Sequence, residues 1–118
     1  MKRDMDLIRK ILAETESLPY KSGNICRVEV DGYTPEQVSY HVEILAEANL
    51  VKATHLGRET IPHRLTWEGH EFLDASRNDT IWKKALEISK QAGGVAFEVM
   101  KSLLIQMAKD AVIGALRG

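Results

Sequence analysis

Thr34-Pro35-Glu36-Gln37-Val38-Ser39-Tyr40-His41-Val42-Glu43-Ile44-Leu45-Ala46-Glu47-Ala48-Asn49-Leu50-Val51 carries a helix start, an apolar stripe, a helix stop and a strand entry in one run. Thr34 offers a capping hydroxyl, Pro35 suits the first helical position, and Glu36 complements the positive end of the helix dipole. Val38, Val42, Leu45 and Ala46 then recur at helical spacing as one face. The helix is predicted to run to about Ala48, because Asn49 tolerates the left-handed conformation that ends a helix. Leu50 and Val51 lead out of it into a strand.

Downstream, Val51–Leu56 and His63–Trp67 flank a turn-rich stretch from Gly57 to Pro62, which predicts an antiparallel hairpin. Thr66 can cap a further helix through Arg77, with Trp67, Phe72, Leu73 and Ala75 turned toward the first helix. Upstream, Asp4 or Asp6 can cap a helix whose stripe is Leu7, Ile8, Ile11 and Leu12, fading near Glu16. Ile25–Val30 alternates β-branched residues with Arg27 and Glu29 and reads as a short half-buried strand. The order helix, strand, helix, hairpin, helix is that of a winged helix, a mainly α (α+β) fold, with the strand around Val28 replacing the usual short helix before the recognition helix. This domain is expected over residues 1–77.

Residues 78–118 form the expected helical extension. Asn78, Asp79 and Thr80 can cap a helix from Ile81 to about Ala92, which Gly93 and Gly94 break. Beyond them Phe97, Met100, Leu104, Met107 and Ala111 draw a narrow apolar seam at spacings of three and four. An amphipathic helix after a Gly-Gly hinge has a physical reason to pair, and a homodimer through that seam is the expectation.

The 118 residues, 44% hydrophobic and 28% charged, suffice for one modest core. Sixteen basic residues against 17 acidic ones leave a formal charge of −1, so nothing draws the whole chain to nucleic acid or an anionic membrane. Residues 1–77 hold 10 basic and 13 acidic side chains, a net of −3, and residues 78–118 hold 6 and 4, a net of +2. One cysteine, Cys26, precludes an intrachain disulfide. With no signal peptide and no apolar run near 20 residues, a soluble cytoplasmic protein is expected.

Three blocks resemble a known family. Met1-Lys2-Arg3-Asp4-Met5-Asp6-Leu7-Ile8-Arg9-Lys10-Ile11-Leu12 is similar to the opening of an uncharacterised bacterial and prophage family, a domain of unknown function (number two-five-one-three). Tyr40–Val51 resembles its second motif, and Leu65-Thr66-Trp67-Glu68-Gly69-His70-Glu71-Phe72-Leu73-Asp74, continued by Arg77–Trp82, its third. The resemblance spans roughly residues 1–90 and departs at Asn49, where the family pattern usually has glycine. It implies a winged-helix-like core and no particular activity. The second block also resembles the recognition helix and following strand of winged-helix regulators, an analogy of fold.

If the helix from Pro35 entered a major groove, Glu36, Gln37, Ser39, Tyr40 and His41 near its start would face base edges, with Gln37 and Ser39 the readers. Lys52, Arg58 and Arg64, with His55 and His63, would lie along the hairpin against phosphates. Against this, the helix has no Lys or Arg, and Glu36, Glu43 and Glu47 fall on its exposed side, where phosphate would repel them. The acidic helix and amphipathic tail suit a protein partner better, with a DNA-binding regulator as the alternative. His63 and His70 lack the paired spacing of a zinc site, and no phosphate loop or nucleophile motif occurs, so no metal, cofactor or catalytic residue is assigned and an enzyme is not expected. Trp67 and Trp82 adjoin apolar helical positions and are expected in the core rather than stacked on bases.

Overall fold

A computed structural model describes residues 1–19, 26–91 and 97–117, with the side chains of 97–99 and 117 left aside. Its elements are α1 (Met5–Glu16), α2 (Pro35–Glu47), a hairpin of β1 (Val51–Leu56) and β2 (Glu59–Leu65), α3 (Trp67–Ser76), α4 (Asp79–Gln91) and α5 (Phe97–Arg117). The fold class is mainly α with one small antiparallel sheet. Two compact units divide at His70/Glu71, inside α3, and the polar joint at residues 78–80 lies within the second. That joint is a helix cap: Asn78 Oδ1 accepts from the Ile81 amide at 3.1 Å and starts α4.

In the first unit, local chemistry and burial agree. Asp4 caps α1 by accepting from the Leu7 amide, and Leu7, Ile8, Ile11 and Leu12 are buried. Thr34 and Gln37 form a full capping box at the start of α2: the Gln37 amide donates to Thr34 Oγ1 at 3.2 Å, and the Thr34 amide to Gln37 Oε1 at 2.8 Å. Val38, Val42 and Leu45 are buried, and Asn49 ends the helix at φ 61°. With Leu50, Val51, Ile61 and Leu65 these side chains form the apolar interior of this unit.

The hairpin is tighter than the sequence suggests. Only Gly57 and Arg58 turn, and β2 starts at Glu59 instead of His63. Gly57, at φ 64° in the first central position, is the residue a two-residue II′ turn requires. Pro62 then sits inside a strand, opposite Ala53. It is tolerated because the side of β2 that it shares with Thr60 faces away from β1: the Thr60 amide donates not to β1 but to Ser39 Oγ on α2, at 2.7 Å.

The same edge explains a correction. The stretch read as a strand, 25–30, forms no strand over Cys26–Val30, while Ile25 lies outside the described residues. Residues 27–33 line a groove with β2, but its outward-facing edge has one amide taken by Ser39 and another missing at Pro62. A third strand would find too few donors there. An Arg27–Glu59 ion pair at 2.7 Å spans the gap instead, with both side chains largely in water.

α3 starts at Thr66, whose Oγ1 accepts from the Gly69 amide and donates to the Asn49 carbonyl at 2.6 Å, while its amide donates to Leu50 O. Its buried residues are Gly69, Phe72, Leu73, Ala75 and Ser76. Trp67 does not join them: expected in the core, it is 79% exposed. Five residues at 100° each place its side chain about 140° around the helix from Phe72, so both cannot face inward. Trp82 is buried and meets Phe72 edge-to-face at 6.3 Å in the second unit, where α4 packs on α5 and Met100 and Leu104 are also buried. The expected Gly93-Gly94 hinge lies outside the described residues.

Candidate functional site

The candidate base readers on α2 are occupied inside the fold. Gln37 spends its side-chain carbonyl on the capping box, and Ser39 holds the hairpin through the Thr60 amide. Tyr40 is half-buried, its ring edge-on to His41 at 5.5 Å. His41 is buried, at 1% exposure. Its Nδ1 donates to the Gln37 carbonyl at 2.7 Å and its Nε2 accepts from the Asp4 amide at 2.9 Å, which fixes the neutral Nδ1–H tautomer.

His41 is thus one end of a polar knot joining α1 to α2. The Asp4 amide donates to His41, Asp4 Oδ1 accepts from the Leu7 amide and Oδ2 from the Tyr33 hydroxyl at 3.1 Å, and the Lys10 ammonium lies 5.8 Å from the Tyr33 ring centroid. Burial, followed by the hydrogen bond to Asp4 and the charges of Asp4 and Asp6, raises the Tyr33 phenol above its ordinary pKa. A phenol raised on folding contributes its share of stability whole below the unfolded value and loses it as pH climbs through the folded one. The motif blocks showed Asp4 and His41 as isolated polar residues 37 apart in sequence, and no local signal joins them.

What α2 leaves in water is acidic: Glu36, Glu43 and Glu47 are exposed on it, and no cation accompanies them. The hairpin is the opposite. Lys52, Arg58 and Arg64 are exposed, and Lys52 and Arg64 are direct cross-strand partners, so two like charges stand side by side. Arg64 also donates to the Leu65 carbonyl at 3.0 Å, and His63 Nε2 is bonded to Thr54 Oγ1.

A groove of about 350 Å³ runs between residues 27–33, the start of α2 and β2. Val28, Val30, Val38 and Ile61 give it an apolar lining, and Arg27, Glu29 and Glu59 charge it with both signs. Among the described residues no group of three or more His, Cys, Asp or Glu is placed to hold a metal ion. No described helix is long and apolar enough to cross a membrane.

In the second unit the candidate oligomer seam is divided. Met100 and Leu104 are buried, Met107 is half-buried and Ala111 exposed, while the Phe97 side chain is among those left aside. The water-facing apolar residues lie further along α5: Val112 (59% exposed), Ile113 (46%) and Leu116 (83%).

A family model described as a hypothetical protein (DUF2513) matches residues 2–96, so α5 lies beyond the matched stretch. An uncharacterized protein of Haemophilus influenzae is 36% identical over 119 residues, which cover 91% of this chain and 98% of that relative. No solved structure matches the chain.

Proposed function

The chain belongs to the DUF2513 family, and on that footing we propose that it is a winged-helix-like interaction module that recognises a protein partner through α2 and self-associates through the end of α5. One observation carries the reading: every exposed charged residue of α2 is a glutamate, Glu36, Glu43 or Glu47. A helix laid in a major groove with three carboxylates outward meets the densest negative charge a partner can offer, and this one has no cation to offset it. A basic protein surface meets the same three carboxylates with favourable charge. The use of Gln37 and Ser39 in the capping box and the hairpin anchor further supports this reading.

The alternative, a DNA-binding regulator, is favoured by the exposed Lys52, Arg58 and Arg64 of the hairpin. Titration of a labelled duplex, at about 50 and about 200 mM salt, separates the two readings. No binding at micromolar protein is the expected result. Binding that falls steeply with salt and is lost in the Arg58→Ala/Arg64→Ala double variant would transfer the function to DNA.

Self-association draws on the exposed Val112, Ile113 and Leu116, an apolar face that a lone helix would leave in water. Light scattering is expected to give a dimer mass for the full chain and a monomer mass for Val112→Asp/Leu116→Asp. A monomer mass for the unsubstituted chain at micromolar concentration rejects the dimer.

A further inference from the structure

Trp67 is the most conspicuous side chain that neither the fold nor the α2 reading uses. It is 79% exposed, whereas the chain's other tryptophan, Trp82, is 2% exposed. Leaving an indole in water forgoes a large hydrophobic gain, so its surroundings bear on what would cover it. It lines a cleft of about 480 Å³ together with His63, Arg64, His70 and Glu16. Lys52 stands beside Arg64 as its cross-strand partner, and among the described residues neither of these two cations is held in an ion pair. The one carboxylate lining the cleft, Glu16, lies 3.8 Å from His70 Nδ1.

We propose that this surface binds single-stranded nucleic acid, with an unpaired base stacked on the Trp67 indole and the adjoining phosphates held by Lys52 and Arg64. Three properties select that ligand. The paired cations at the strand end repel each other and gain from an anion placed between them. The bare indole needs a flat partner, which an unpaired base supplies and a base inside a duplex, stacked on both faces, does not. An acidic peptide would satisfy Lys52 and Arg64 and leave the ring wet. The second ring nitrogens, His63 Nδ1 and His70 Nε2, add hydrogen-bonding capacity along the same cleft, while His63 Nε2 is bonded to Thr54 and His70 Nδ1 faces Glu16. This goes beyond the α2 reading and is independent of it, since it shares no residue with Glu36, Glu43 and Glu47.

The difference in exposure of the two tryptophans supplies the readout, because a stacked base quenches the exposed indole and leaves the buried one unaffected. The full chain is titrated with oligothymidylate of about 12 nucleotides at about 50 mM salt, with a blunt duplex and polyglutamate as comparators. Expected are quenching by the oligothymidylate, weakening as salt rises, and no quenching in Trp67→Ala. Anisotropy of a labelled oligonucleotide should show that variant binding roughly 5- to 100-fold more weakly, with its far-ultraviolet circular dichroism unchanged. Lys52→Ala/Arg64→Ala should bind about tenfold or more weakly and show a shallower salt dependence. Absence of quenching up to about 100 μM oligonucleotide overturns the proposal, as does unaltered binding by Trp67→Ala. Polyglutamate binding as tightly would assign the surface to an acidic protein, and tighter duplex binding would make it a phosphate contact without stacking; either result also rejects it. Arg64 is common to this surface and to the duplex test, and Trp67 separates them: binding lost in Trp67→Ala reports this cleft, whereas duplex binding that survives Trp67→Ala and falls in Arg58→Ala bears on the α2 reading.

Discussion

Gly69→Ala is expected to destabilise the protein by about 3 kcal/mol or more, although the same change inside an ordinary helix adds roughly 1 kcal/mol of stability. The sign reverses because of what the new methyl meets. A Cβ on Gly69 would stand 2.0 Å from the Leu50 carbonyl oxygen, 3.0 Å from its carbon and 3.3 Å from Leu65 Cβ. The first two are backbone atoms at the entry to β1, and they cannot swing aside as a flexible side chain does. The start of α3 must retreat instead. That retreat strains the bonds from Thr66 to Asn49 O at 2.6 Å and to Leu50 O at 3.0 Å, which tie the helix to the strand. Urea unfolding monitored by circular dichroism should show the lower midpoint, and thermal melting a fall of about 10 °C or more. An alanine variant as stable as the parent would show that α3 does not begin against Leu50.

The second large effect belongs to His41. Truncation to alanine empties a fully buried ring site and leaves the Asp4 amide without its acceptor, at an expected cost of about 3 kcal/mol. His41→Phe separates the two contributions, because it keeps a ring of similar size but offers no nitrogen to Asp4. It should still cost about 1–3 kcal/mol, the penalty for a buried donor left unmet. Hydrogen exchange at the Asp4 and Leu7 amides should accelerate in both variants as the cap of α1 loosens. A His41→Phe protein with unchanged stability would remove His41 from the knot.

These residues also mark how far the sequence could be read. The motif block Tyr40–Val51 displays His41 among polar residues at a helix start, where a base reader would sit. Helical spacing places it on the inward stripe with Val38, Val42 and Leu45, but the partner that takes its Nε2, the Asp4 amide 37 positions earlier, leaves no trace within α2. Gly69 was likewise visible only as one letter of a motif. Its necessity comes from the approach of a strand that is remote in sequence.

What the sequence by itself determined is local: the caps of α1, α2 and α3, the left-handed Asn49, the inward stripe Val38, Val42 and Leu45, and the pairing of β1 with a following strand. Each depends on neighbours a few residues away, and the side chain's own chemistry decides it. Only the tertiary structure decided that β2 reaches back to Glu59, that residues 26–30 form no strand, that Ser39 anchors the hairpin and that Trp67 faces water. Each of these turns on which donor, acceptor or apolar face a distant segment brings alongside. A hydrogen bond or a buried side chain needs both partners in place, and the chain supplies the second one only after it has folded.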